Sequence, residues 1–302
     1  MEICFQSSTS TINFENWLNS FVAINPSLLL EIDTKEEIFV AKTFTEEKTV
    51  VKYGKISFQN AGLEVVSISD DNGKTYTLEE WNAENDRRIK VGFYKALDKF
   101  IKVVKQFSST ENHKITFKFN ETVPEPNKPA EFGCVRVIFK SLSLTMAAPC
   151  AELREFTYIS DKQFAENIAN IEDPIVFEHN TDVSKLLIQV SNIYSVDAQK
   201  DIIDFKVKKD DNGEWAIFAY DHNGQTYDFK LGYLDKNAMN LSDGEVPEYQ
   251  DVHIPVIRQN YILGTKTDTE NGKIMISGAN DGTRIKICSG NNFITIIASV
   301  RV

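Results

Sequence analysis

Short runs rich in β-branched and aromatic residues recur along the chain, and this pattern is typical of β-strands. Asp-Asn-Gly sequences at 71–73 and 211–213 suit hairpin turns, because asparagine and glycine tolerate a positive φ. The pattern therefore predicts antiparallel strands joined by tight turns. The predicted strands cover residues 38–43, 50–58, 115–119, 135–139, 141–146, 205–208, 215–220, 226–231, 273–277, 283–288 and 293–300.

Apolar residues recur with helical spacing in only a few places. In the first half they predict helices over residues 14–24 and 86–107. In the second half they predict a helix that begins after Asp182 as N-cap and runs to residue 193, and a short one over 255–263 that opens on Pro255. Between the halves, residues 156–159 resemble a strand, and Ser160 can cap a short helix over 161–171.

The order helix, strands, helix, strands thus occurs twice. This order predicts an α+β fold of two similar domains, each with antiparallel sheets and two helices. The predicted boundaries are an N-terminal domain over 1–150, a connector over 151–174 and a C-terminal domain over 175–302. The halves share element order rather than residue identity, so a chance similarity of two unrelated α+β domains stays open.

The composition is that of a soluble globular protein: of 302 residues, 42% are hydrophobic and 25% are charged, with a net charge of -11. No apolar run approaches the roughly 18 residues of a membrane helix, and residues 1–13 do not resemble a secretory signal. Cytoplasmic localisation is therefore expected. The cysteines, Cys4, Cys134, Cys150 and Cys288, form no C-x-x-C pair, so we expect reduced and mostly buried thiols.

The predicted helix over 86–107 carries the clearest charge signal. It contains seven lysines and arginines and only two aspartates, in a chain that is acidic as a whole. At about 100° per residue, Arg88, Lys95, Lys99 and Lys102 fall within about 60° of one another, opposite an apolar face. Such a stripe suits a polyanion. It lacks exposed aromatic residues for stacking on single strands, so it predicts sequence-neutral contact with duplex phosphates.

Two other interpretations of this stripe stay open. A lysine-rich face can simply be solvated, or can neutralise acidic loops of its own chain. A basic amphipathic helix can also bind a membrane surface or a calmodulin-like protein.

Together these features resemble the DNA sliding clamps, specifically the bacteriophage type with two domains per subunit, which is similar to the proliferating cell nuclear antigen fold. The matching stretches are residues 17–25 with 38–58, 183–196 with 205–231, and 272–302. The resemblance implies a non-enzymatic DNA polymerase processivity factor, in which a homotrimeric ring encircles duplex DNA through a hole lined by basic helices. It implies a DNA polymerase and a clamp loader as partners, and a cytoplasmic location, which is the host cytoplasm if the protein is viral.

The resemblance also assigns residues. The expected DNA-binding residues are Arg87, Arg88, Lys90, Lys95, Lys99, Lys102, Lys105, Lys185, Arg258 and Lys266. The candidate partner-binding residues in the connector are Phe156, Tyr158 and Ile159, for which ordinary core packing is the alternative. The chain departs from the expected pattern in its length and in the helix over 14–24, which carries Glu15 and no cation.

Two further functional classes are alternatives to a sliding clamp. A β-rich structural or binding module of a virion or cell surface explains the strands but not the one-sided charge. An enzyme with a carboxylate pair is weakly supported, since Asp70-Asp71 and Asp210-Asp211 lie in predicted turns. The sequence shows no catalytic motif, no helix-borne histidine pair for a metal and no cofactor motif, so none of these sites is predicted.

Overall fold

The chain divides into two compact units, each mixed α+β and mostly antiparallel, which confirms the predicted fold class. Unit 1 comprises Met1–Thr43 and Tyr53–Ile159, and unit 2 comprises Phe44–Lys52 and Ser160–Val302. None of the helices in the described residues is long and apolar enough to cross a membrane. The computed structural model describes residues 1–85, 87–121, 131–155, 157–169, 175–197, 200–222, 226–239, 252–276, 284–290 and 292–300.

Unit 1 is built from two copies of a strand–helix–strand segment. The elements of its chain, including a hairpin whose tip belongs to unit 2, are β1 (Glu2–Ser7), α1 (Ile12–Val22), β2 (Leu28–Asp33), β3 (Ile38–Phe44), β4 (Val50–Ser57), β5 (Leu63–Ser69), β6 (Thr75–Tyr76), α2 (Leu78–Glu84), β7 (Ile89–Phe93), α3 (Leu97–Phe107), β8 (Lys114–Glu121), β9 (Phe132–Lys140), β10 (Thr145–Pro149) and the 3₁₀ turn Leu153–Glu155.

The two segments of unit 1 exchange their first strands. Strand β1 precedes α1 but pairs antiparallel with β8, which follows α3, so that Cys4 lies opposite Thr116. Strand β7 precedes α3 but pairs antiparallel with β2, which follows α1, so that Val91 lies opposite Leu30. Each helix therefore bridges the two halves of the unit, and α1 packs against α3.

Buried aromatic rings hold the two helices against the sheet of unit 1. Phe14 of α1 contacts Phe39 of β3 with ring centroids 4.9 Å apart. Phe100 of α3 lies 4.4 Å from Phe93 and 5.7 Å from Phe139 by the same measure. Rings of this size bury large apolar areas, and tilted pairs add a favourable quadrupole interaction. The opposite faces of both helices remain available to solvent.

Unit 2 repeats the strand exchange. Strand β11 pairs with β16, which follows α6, and β15 pairs with β12, which follows α5. Its elements are α4 (Asp161–Gln163) with a π turn (Phe164–Ala169), β11 (Ile175–His179), α5 (Thr181–Ile193), β12 (Ile202–Lys209), β13 (Trp215–Asp221), β14 (Asp228–Tyr233), β15 (His253–Ile257), α6 (Arg258–Thr265), β16 (Gly272–Ile276), β17 (Arg284–Ser289) and β18 (Phe293–Ala298).

A buried ion pair lies in unit 2. The Lys52 ammonium donates to Asp268 Oδ1 at 3.2 Å, to Thr267 Oγ1 at 2.9 Å and to the Gly264 carbonyl at 3.4 Å. The two charged side chains are 0% and 2% exposed. Burial lowers the pKa of Lys52 and raises that of Asp268, while each charge partly offsets the effect on the other.

The predicted helix over 86–107 is wrong in its first part. Residues 89–93 form strand β7, and the helix begins only at Leu97. Ile89, Val91 and Phe93 alternate with Lys90 and Gly92, and this alternation suits a strand with one buried face.

Three smaller predictions also need correction. The N-cap of α5 is Asn180 rather than Asp182, because the Asn180 side chain accepts from the amides of Asp182 and Val183. Pro255 lies in β15, an edge strand that tolerates proline, so the helix begins at Arg258. Strand β10 begins at Thr145 rather than at 141. The connector shows no strand over 157–159, and residue 156 lies outside the described residues.

A capping box starts helix α2, an element that the sequence analysis missed. Thr77 Oγ1 accepts from the Glu80 amide at 3.1 Å, and Glu80 Oε2 accepts from the Thr77 amide at 2.8 Å. We expect Thr77→Ala to lower the free energy of unfolding by about 1 kcal/mol in urea denaturation, because the cap is lost. Thr75→Ala, at an exposed position of strand β6, is the matched control. Equal effects of the two variants would contradict the assigned role of the cap.

Candidate nucleic-acid interface

Helix α3 divides sharply into a buried and an exposed face. Its apolar side chains, Leu97, Phe100, Ile101, Val104 and Phe107, are all buried. Its lysines, Lys99, Lys102 and Lys105, are exposed and follow one another at a spacing of three residues. Residues three apart lie on one side of a helix, so packing of the apolar face turns the three ammonium groups outward together.

The turn before α3 adds a fourth lysine. Lys95 has a φ of 51° and is exposed, and its amide donates to Ser27 Oγ at 2.9 Å. The amides of Ala96 and Leu97 both donate to the Pro26 carbonyl, which fixes the start of the helix. We call Lys95, Lys99, Lys102 and Lys105 the α3 lysine row.

The α3 lysine row is poorly neutralised by its own chain. Within the described residues, Lys95, Lys99 and Lys105 have no carboxylate within 4.0 Å. Lys102 lies 3.6 Å from Asp98, but both side chains are well exposed, so this pair contributes little. The row therefore presents positive charge to solvent, as the sequence analysis expected for this part of the stripe.

Helix α1 does not cancel that charge. It exposes Ile12, Asn13, Asn16 and Asn19. Its acidic residue, Glu15, is buried and accepts a hydrogen bond from Ser108 Oγ at 2.6 Å. The exposed polar side chains of α1, the helix packed against α3, are therefore uncharged asparagines rather than carboxylates.

Tyr94 is a surface residue that the sequence analysis missed. Its side chain is 48% exposed, and the Lys95 ammonium lies 5.5 Å from the centre of its ring. The sequence analysis placed Tyr94 inside a continuous helix and gave it no functional role. The Tyr94-Lys95-Ala96 turn after a strand is the signal that could have found it.

Arg87, Arg88 and Lys90 do not belong to the α3 lysine row. Arg88 pairs with Glu31 and Asp33, and Arg87 pairs with Glu121. Lys90 pairs with Glu131. Most of these carboxylates come from distant parts of unit 1, so helical spacing, which grouped Arg88 with Lys95, Lys99 and Lys102, could not show that its charge is paired.

The environment of Lys90 favours its charged form. Burial opposes the charge, but the hydrogen bond to Glu131 and the nearby carboxylates outweigh it and raise the pKa of Lys90. The positive charge of Lys90 is therefore compensated by carboxylates of unit 1.

Unit 2 contributes fewer exposed cations on its helices. Lys185 is exposed but lies 3.5 Å from Asp182, and Lys266 is exposed at the end of α6. Arg258 is only 5% exposed, and its Nε donates to the Ser191 carbonyl at the end of α5. Arg258 is therefore buried against the last turn of α5, where a positive charge is favourable, rather than exposed to solvent.

The connector residues are partly placed. Tyr158 is half-buried, its hydroxyl donates to Glu131 Oε2 at 3.3 Å, and the Lys90 ammonium lies 5.3 Å from its ring centre. Ile159 is half-buried, and Phe156 lies outside the described residues. Tyr158 thus has a structural contact in unit 1, and no described feature gathers these residues into a pocket.

No protein-family model matches the chain, and no curated protein matches its sequence. Solved structures do match. The Helicobacter pylori beta clamp bound to a DNA ligase peptide aligns with 99% of this chain at 10% identity and a TM-score of 0.58. The A. fulgidus PCNA bound to the C-terminal region of FEN-1 aligns with 100% at 10% identity and a TM-score of 0.55. The DNA polymerase sliding clamp from Bacillus subtilis aligns with 100% at 11% identity and a TM-score of 0.56.

The alignments differ in how much of each neighbour they cover. This chain spans 66% of the H. pylori clamp and 64% of the B. subtilis clamp, but 98% of the A. fulgidus PCNA. At such low identity the agreement concerns the backbone, and it extends over nearly the whole of this chain. The chain therefore has the fold of the DNA sliding clamps.

Proposed function

We propose that this chain is a DNA polymerase processivity factor, a sliding clamp whose ring encircles duplex DNA and tethers the replicative polymerase. The single observation that carries the proposal is the α3 lysine row, which lies on the solvent-exposed side of α3 in a protein with a net charge of -11. An acidic surface repels DNA elsewhere and leaves this row as a place where phosphates are attracted.

The chemistry of the row suits movement along a duplex. Lysine is a compact point charge with rotatable donors, so it attracts phosphate without demanding one geometry. Contacts to phosphate carry no sequence information. A clamp needs weak, sequence-independent and salt-sensitive contacts of this kind, and it performs no covalent chemistry. Lys185 and Lys266 of unit 2 are proposed to add minor contacts.

Assembly into a ring is proposed to use the edge of unit 1. Strand β10 pairs with β9 on one side, and most of its residues are exposed. Leu142 and Leu144 before it are exposed apolar residues. An exposed edge with apolar neighbours favours strand addition from a second copy. Three subunits of two units each, joined by the connector over 151–174, would give a homotrimer with six repeats.

The partners are proposed by analogy with the fold neighbours. One neighbour binds a DNA ligase peptide and another binds a region of FEN-1. We propose that a polymerase and a clamp loader bind this chain near the connector, where Tyr158 and Ile159 are candidate contacts. We further propose the bacteriophage type of clamp, acting in the host cytoplasm.

Light scattering combined with electron microscopy tests this function. We expect a closed oligomer of three subunits with a central hole wide enough for a duplex. A protein that stays monomeric while it binds duplex DNA would contradict the ring. A monomer or filament without duplex affinity would favour a β-rich structural or binding module instead.

A further inference from the structure

Two cysteines of unit 1 lie side by side. Cys134 belongs to β9 and is 3% exposed, whereas Cys150 directly follows β10 and is half-buried. Their sulfur atoms are 3.7 Å apart, and the Cys150 thiol donates to Cys134 Sγ. The sequence analysis expected reduced and mostly buried thiols, because no two cysteines form a C-x-x-C pair.

The backbone around the pair is already held in place. Strands β9 and β10 form an antiparallel ladder in which Pro149 lies opposite Arg136. Beyond it, the Cys150 amide donates to the Val135 carbonyl, and the Ala151 amide donates to the Gly92 carbonyl at 2.9 Å. A disulfide needs a sulfur separation of about 2.05 Å, so the two side chains must approach by less than about 2 Å.

We propose that Cys134 and Cys150 form a reversible disulfide that fastens the end of strand β10 to β9 under oxidising conditions. The two residues constitute a redox modification site. The disulfide closes a loop that consists of the β9–β10 hairpin itself.

The reaction balances with a small disulfide, such as oxidised glutathione, as the oxidant. The Cys150 thiolate attacks one glutathione sulfur, which forms a mixed disulfide and releases one glutathione. The Cys134 thiolate then attacks Cys150 Sγ and releases the second glutathione. The protein loses two thiol hydrogens, and one oxidised glutathione becomes two reduced ones.

The surroundings make this reaction slow at neutral pH. The hydrogen bond with Cys134 and burial both raise the pKa of Cys150, so only a small fraction is thiolate. Because the thiolate is the attacking species, the oxidation rate should rise about tenfold per pH unit through the weakly alkaline range.

The position of the pair gives the disulfide a structural consequence. Helix α3 packs against β9 and β10, and Phe139 of β9 contacts Phe107 of α3 with ring centroids 5.5 Å apart. The bond would therefore stiffen the strands beneath the α3 lysine row. A consequence for assembly through the β10 edge rests on the proposed function, whereas formation of the bond does not.

Oxidation in a glutathione buffer tests the proposal directly. We expect two of the four thiols to disappear, a digest to contain one peptide pair that joins Cys134 to Cys150, and the melting temperature to rise by several degrees. Dithiothreitol should reverse all three changes. The Cys4→Ser/Cys288→Ser variant should behave like the wild type, and Cys150→Ser should lose the response.

Three results would overturn the proposal: four free thiols after oxidation, a bond to a different cysteine, or a bond between two molecules. Peptide mapping of the wild type gives this answer even if a serine variant fails to fold. The thiol result does not depend on oligomeric state or DNA binding, so this proposal and the proposed function fail separately.

Discussion

Replacing Lys99, Lys102 and Lys105 with glutamate will lower the affinity for duplex DNA by about a hundredfold or more. Each lysine is expected to contribute about 1 kcal/mol through a charged contact, and reversal adds repulsion of phosphate. The three side chains are exposed, so the fold should remain intact. Fluorescence anisotropy with a labelled duplex measures the affinity.

The salt dependence of binding gives a second measure of the same change. Each lost phosphate contact reduces the slope of log K against log salt by about 0.9, so the triple variant should lose about 2.7 from the slope. A titration between about 50 and 200 mM salt covers the useful range. The slope reports on contacts with phosphate rather than on overall stability.

A matched variant separates local from overall charge. Lys55→Glu/Lys206→Glu/Lys209→Glu changes the net charge by the same amount, at exposed positions on strands β4 and β12. We expect this control to bind duplex DNA much more tightly than the α3 variant. Equal losses in the two variants would show that binding follows net charge, and the proposed interface on α3 would then be wrong.

Replacing Lys52 with methionine will lower the free energy of unfolding by about 3–5 kcal/mol at neutral pH. The change leaves the Asp268 carboxylate buried without its partner, and an uncompensated buried charge is strongly destabilising. Methionine fills a similar volume, so little of the effect should come from packing. Urea denaturation followed by circular dichroism measures the change.

The size of this effect should depend on pH. Burial raises the pKa of Asp268, and Lys52 opposes that rise in the wild type. Without Lys52 the folded-state pKa rises further above the unfolded value, so the variant gains stability as the pH falls and the carboxyl becomes protonated. The deficit relative to the wild type should therefore be largest near pH 7 and smaller near pH 4.

A double variant provides the control for this ion pair. In Lys52→Met/Asp268→Leu both charges are absent, and such replacements are often neutral or even stabilising. We expect it to be more stable than Lys52→Met alone. If the effects of the two single changes simply add, the pair does not interact as the structure describes.

Many of the strands could be predicted from the sequence because their apolar runs are short and end at turn residues, but β1, β2, β5 and β11 were missed. The fold class followed from the order of elements. The start of α3 could not be predicted, because Ile89, Phe93 and Leu97 also match a helical spacing of four. Over so few residues the strand period of two and the helical period fit the same apolar positions. In the structure, the strand and the helix are separated by a turn in which Lys95 has a positive φ.

For the charged residues of the candidate interface, too, the sequence predicts local geometry but not contacts between distant segments. The row from Lys99 to Lys105 was predictable, because local helix geometry alone places those side chains. The fates of Arg88 and Lys90 were not, because their carboxylate partners, Glu31 and Glu131, are brought to them by strand pairing across the sheet. Burial of Arg258 at the end of α5 depends on tertiary packing in the same way.

The tip of the β3–β4 hairpin, Phe44–Lys52, belongs to unit 2, whereas both of its flanking segments belong to unit 1. Dividing the chain after Ile159 would therefore leave Phe44–Lys52 on the first piece and the rest of unit 2 on the second, and Asp268 would lose the Lys52 ammonium. The two units therefore do not correspond to two continuous stretches of sequence. Replacing unit 2 by a homologous domain would require replacing the hairpin tip Phe44–Lys52 together with it.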